Sequence, residues 1–135
     1  MNEPIAFEIT VKLPYEQAIE KTTAALKAEG FGILTRIDVK ATLKEKINAE
    51  FRPYAILGAC NPPLAHRALS HDAQVGLLLP CNVTVEAQGE HAAIVRIGDP
   101  DVFLKIGGFA RDAVLQDIAR EARQKLQRAA AALKS

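Results

Sequence analysis

Apolar and polar side chains alternate from Ile5 to Leu13, with Ile5, Phe7, Ile9, Val11 and Leu13 on one face. That period of two predicts a half-buried strand. Pro14 suits the first turn of a helix, and Tyr15, Ile19, Thr22 and Leu26 then recur at helical spacing to about Glu29. Gly30 is the expected stop, because glycine accepts a left-handed backbone. Phe31 to Val39 predicts a second strand, with Gly32, Leu34, Arg36 and Asp38 on one face and Ile33, Thr35, Ile37 and Val39 on the other. Residues 41–50 predict one or two helical turns, with Leu43 and Ile47 one turn apart. Tyr54 to Ala59 is a short apolar run, expected as a buried strand.

Asn61-Pro62-Pro63 then predicts a helix start, with Asn61 as the cap and the helix running to Leu69 or Ser70. Val75 to Leu79 reads as another apolar strand, interrupted by Pro80. Residues 82–88 alternate, Gln88-Gly89-Glu90 reads as a hairpin turn, and Ala92 to Ile97 as the returning strand. Residues 99–109 form a connector. From Arg111 to Lys134, Val114, Leu115, Ile118, Ala122, Leu126, Ala129 and Leu133 make the apolar stripe of a long helix. The predicted order is β-α-β-β-α-β-β-β-α, with residues 41–50 as a minor helical insert. Hairpin-linked strands with segregated helices predict an α+β fold, an antiparallel or mixed sheet with helices packed on one face.

Length and charge narrow this picture. With 135 residues and no low-complexity linker, residues 1–135 read as a single domain. Seventeen basic residues oppose sixteen acidic ones, for a net charge of +1, and no basic face is set up to capture nucleic acid. No apolar run is long enough to span a membrane. Met1-Asn2-Glu3-Pro4 lacks the features of a signal peptide. The expected location is therefore cytoplasmic, with cysteines kept reduced.

Two cysteines carry the most suggestive chemistry. Cys60 immediately precedes the cap Asn61, where the partial positive charge of a helix start favours a thiolate. Cys81 follows Pro80 at the end of an apolar run. If the strands of residues 54–59 and 75–79 lie side by side, the two sulfurs converge as a reversible dithiol or a soft-metal pair, with His66 or His71 as further ligands. The alternative is a pair of small buried apolar residues, the usual state of free cysteines. Asn82 follows Cys81 as Asn61 follows Cys60, and each amide either satisfies a turn or meets a ligand. Asp38 is a candidate general base if it lies in a cleft, or else a solvated residue paired with Arg36; Arg52 is a further partner for Asp38 or Asp72. His91 reads as a surface residue beside the turn. No Walker, HExxH, GxSxG or nucleic-acid motif is present, so no catalytic residue is assigned.

The stretches Gly58-Ala59-Cys60-Asn61-Pro62 and Leu79-Pro80-Cys81-Asn82-Val83 resemble the 302 family of domains of unknown function. Glu29-Gly30-Phe31-Gly32 and Ile37 to Lys44 are similar to its pattern as well, and the likeness spans roughly residues 5–130. The resemblance implies a TATA-binding-protein-like α+β fold in a single copy, and a homodimer. It does not imply DNA binding, because one fold hosts many functions. The expected function is a homodimeric module binding a small molecule or soft metal ion. Its expected ligand site is Cys60, Asn61, Cys81, Asn82 and Asp38, and its metal set Cys60, Cys81 and His66. The alternatives are a thiol-dependent enzyme or redox protein using Cys60 or Cys81, and a structural or partner-binding dimer.

Overall fold

Phe7, Ile9 and Val11 share the inner face of the first strand, as their alternation requires, and Ile9 and Val11 are buried. The structure, a computed structural model, describes residues 4–134. Met1 to Glu3, part of the N-terminal reading, and Ser135 lie outside them. Strands β1 (Ala6–Val11), β2 (Gly32–Asp38), β3 (Tyr54–Cys60), β4 (Cys81–Ala87) and β5 (Ala93–Gly98) form one sheet in the order β1-β5-β4-β3-β2. Every pairing is antiparallel. The helices are α1 (Tyr15–Ala28), α2 (Val39–Ile47), α3 (Pro62–His71), the short α4 (Pro100–Phe103) and α5 (Ala113–Leu133). Helices α1 and α5 pack on each other and on one sheet face, and α3 packs on α5. The core lies between, built from Ala55, Leu57, Val83, Val85, Val95 and Ile97 of the sheet and Leu26, Leu115 and Leu126 of the helices. Among the described residues, no helix is long and apolar enough to cross a membrane.

The α+β class and the order of elements match the expectation, with one segment different. Residues 75–79 are not a strand. Ala73–Leu78 is a 3-10 turn that Asp72 caps, its carboxylate accepting from the Gln74 N–H at 2.9 Å. Only Val75 of this turn is buried, whereas Leu77 is 85% exposed. The apolar run thus covers the end of the sheet instead of joining it. The strand beside β3 is β4, which begins at Cys81 after a cis Leu79–Pro80 bond.

A register shift between Ile33 and Thr35 also alters β2. It resets the alternation, so Arg36 pairs with Leu57 and Asp38 with Ala55, on the same face as Ile33. Arg36 meets Glu16 of α1 at 2.9 Å instead of Asp38. Arg52 meets neither Asp38 nor Asp72. Its Nε donates to Glu86 at 2.6 Å, and Arg96 donates to the other oxygen of the same carboxylate.

Glu86 is 6% exposed, on the sheet face away from α1 and α5. Burial pushes its carboxyl up, but hydrogen bonds from Arg96 and Arg52 win and hold it below the usual range. A depressed native pKa stabilises the fold above the unfolded value of about 4.3, and that contribution is lost as pH falls through the native value. A Glu86→Gln variant is therefore expected to be less stable than the parent at pH 7. The gap should narrow below about pH 4, measured by urea unfolding across pH. A gap that stays constant with pH would show that the ion pairs add nothing.

Candidate functional site

At one end of the sheet β3 stops at Cys60, β4 starts at Cys81 and β5 stops at Gly98. Phe31 sits just ahead of β2. Its position is set by the end of α1, where Gly30 has φ +86° and its N–H donates to the Lys27 carbonyl. The Phe31 N–H then reaches back to the Leu26 carbonyl at 2.9 Å. This paired closure is the Schellman motif, and it turns the Phe31 ring inward, 1% exposed. Helices α3 and α4 leave from the same end, each started by a cap and a proline: Asn61 with Pro62, Asp99 with Pro100. Beneath them α5 presents Ile118, Ala119 and Ala122.

Small alanines on α5 and short strand ends leave space there. The result is a cavity of about 250 Å³, walled by Phe31, Leu64, Val75, Leu79, Leu104 and Ile118. Leu77 of the 3-10 turn and Phe103 of α4 stand at its border, both partly or largely exposed. Gly98 matters here, because a Cβ on it would meet the Phe103 ring at 2.8 Å. A larger residue would push that wall away.

Four of the residues singled out from sequence border this cavity: Cys60, Asn61, Cys81 and Asn82. Asn61 is buried and caps α3, its Oδ1 accepting from the Leu64 N–H at 3.2 Å. Asn82 is exposed. Cys81 pairs with Ala59 on the helix-covered face and packs against the core. Cys60 lies one position beyond Ala59, so strand alternation turns it to the other face. The two thiols are not near each other, contrary to the expected convergence, because Cys81 is in register with Ala59 and Cys60 turns to the opposite face of the sheet.

The remaining candidates lie elsewhere. Asp38 is exposed and caps α2, accepting from the Ala41 N–H at 3.0 Å, which accounts for it structurally. His66 is exposed on α3 and does not line the cavity. His71 pairs with Asp112, the cap of α5, at 2.7 Å. Among the described residues there is no cluster of three or more His, Cys, Asp or Glu able to hold a metal ion.

Sequence reasoning missed the residues that hold the cavity wall. The Gln116 amide donates to the carbonyls of Leu104 and Phe109, both at 2.8 Å, and its oxygen accepts from Lys105 at 2.6 Å. It fastens the connector after α4 onto α5. Arg123 binds both oxygens of Asp99, at 3.1 and 3.2 Å, with its guanidinium over the Phe7 ring. The dipeptide Asp99-Pro100 carried a cap signal that could have located α4; nothing local marked Gln116.

Burial, the largest cause, pushes the Cys81 thiol up to about 11. At neutral pH it is a thiol and a poor nucleophile. Iodoacetamide is expected to modify Cys81 more slowly than a free peptide cysteine at pH 7, and faster as pH approaches 11, read by peptide mass mapping. Rapid labelling at pH 7 would contradict this.

Comparison with known proteins gives a consistent result. Residues 7–133 match the family described as "Domain of unknown function DUF302". The crystal structure of an uncharacterized conserved protein DUF302 from Bacillus stearothermophilus is similar to this chain, at 30% identity and a TM-score of 0.81. The similarity covers 98% of each chain. No curated protein matches.

Proposed function

We propose that this chain, which belongs to the DUF302 family of domains of unknown function, is a binding module that seats a small molecule in the cavity at the end of its sheet. The observation that carries this reading is the cavity itself, an apolar space of about 250 Å³ between the sheet end and α5. Apolar concavities with a few polar groups at the rim are the usual form of small-molecule sites. Asn61, Asn82, Cys60 and Cys81 supply those groups. The soft-metal version loses support from the separation of the two cysteines and the outward position of His66. The thiol-enzyme reading loses support because Cys81 stays protonated and, among the described residues, no histidine or carboxylate lines the cavity to serve as its base.

The test is a ligand-observed NMR screen with neutral, anionic and cationic compounds, run on the chain and on an Ala122→Leu variant. Binding lost on filling the cavity supports the reading. Binding that ignores the substitution, or no binding by any class, overturns it.

A second reading, a homodimer, rests on β2. This edge strand is exposed along nearly its whole length, with Leu34 67% and Ile37 48% exposed, and Ile47 of the following α2 69% exposed. Exposed apolar edges invite pairing with another chain, and a second copy brings an identical edge. Sedimentation velocity should show a dimer that dissociates in an Ile37→Lys variant. A parent chain that sediments as a monomer at high micromolar concentration removes the dimer.

A further inference from the structure

We infer that the cavity takes an uncharged, largely apolar ligand about the size of a bicyclic aromatic, and that it discriminates against anions through the way α3 and α4 begin. The inference rests on the binding-module reading above and adds the chemical class. Among the described residues, no Asp, Glu, Lys, Arg or His lines the cavity. An ion placed there would lose its hydration with no opposite charge in return.

The helix starts matter because they are the usual exception. The first N–H groups of a helix are free donors and draw anions. Here they are removed or used. In α3, Pro62 and Pro63 have no N–H; the Leu64 N–H goes to Asn61 Oδ1, and the Ala65 N–H to the Asn61 carbonyl at 2.9 Å. In α4, Pro100 has none, and the Asp101 N–H goes to Asp99 Oδ1 at 2.9 Å. The Val102 and Phe103 N–H groups go to the Asp99 carbonyl, at 3.0 and 3.1 Å. The nearby cations are also engaged, Arg123 by Asp99 and Lys105 by Gln116. Neither helix start offers an anion a free backbone donor.

Size follows from volume. Engineered apolar cavities of about 150 Å³ stay dry and admit benzene. A space of about 250 Å³ admits one further fused ring or a comparable alkyl chain. The partly buried Cys81 side chain adds a soft, polarisable surface suited to an aromatic edge.

The experiment titrates the ¹⁵N-labelled chain at pH 7 with naphthalene and, separately, with 2-naphthoate, which share a ring system and differ in charge. Naphthalene is expected to shift the amide signals of Phe31, Cys81 and Ala122, and naphthoate to bind at least tenfold more weakly. Equal or tighter binding of naphthoate at those amides overturns the inference and leaves the binding module standing. The same holds if neither probe binds while a charged compound of the wider screen occupies the cavity. If no compound of any charge shifts those amides, the inference and the binding module fall together.

Discussion

Replacing Phe31 with alanine is expected to lower the unfolding free energy by about 3–5 kcal/mol, the cost of deleting a buried phenylalanine ring. Two features place it at the upper end. The ring is 1% exposed, so nearly all its contact with the core is lost. It also borders space that is already open, and the enlarged void has little means of collapsing between β3 and α5. Native stabilities are about 0.05–0.15 kcal/mol per residue, so the loss is a sizeable fraction of the total. The readout is the urea midpoint at unchanged slope. A neutral aromatic filling the larger void should return part of the loss, about 2.7 kcal/mol at a hundredfold excess over its dissociation constant. A loss below about 1 kcal/mol would show that the site closes up without the ring.

The Ala122→Leu variant is expected to move stability and binding in opposite directions. Ala122 lies on α5, 7% exposed, with its side chain against the cavity. Leucine suits a helix interior and would occupy empty volume. Filling a void of this kind commonly adds about 0.5–2 kcal/mol to stability. The same three carbons take up the space a ligand needs, so binding should fall by at least tenfold. Thermal unfolding and ligand titration on one preparation read both effects. Loss of binding together with loss of stability would mean the variant is overpacked and the cavity smaller than it looks.

Most of the scaffold was legible because local pattern and tertiary role agree. Ile9 and Val11 alternate because one sheet face is buried, and Leu115 through Leu133 follow the helical period because α5 covers that face. Gly30 and Asn61 declared their turns by residue type alone. Val75 to Leu79 failed for a definable reason. Its apolar content suits burial within a sheet, but Asp72 and the turn it starts set the backbone instead. Asp38 misled in a similar way, since a carboxylate at a strand end is as fit to cap the next helix as to act as a base. The cavity was half visible. The two Cys-Asn steps mark its border, but its volume comes from Phe31, Leu104 and Ala122, which converge only in the folded chain. The separation of the thiols hinged on the register of β4 against β3, and periodicity carries no register between strands.

The strand order has a consequence for the newborn chain. β1 pairs only with β5, and Ala6 lies opposite Gly98. At about 5–20 residues per second, the ribosome takes on the order of 5–20 s to make the roughly ninety residues between them. Strands β2 to β5, each beside the next in the sheet, can assemble in sequence as they emerge. Throughout that interval Phe7, Ile9 and Val11 have no sheet to join. The interval before β5 emerges is therefore when the nascent chain has most to gain from a chaperone.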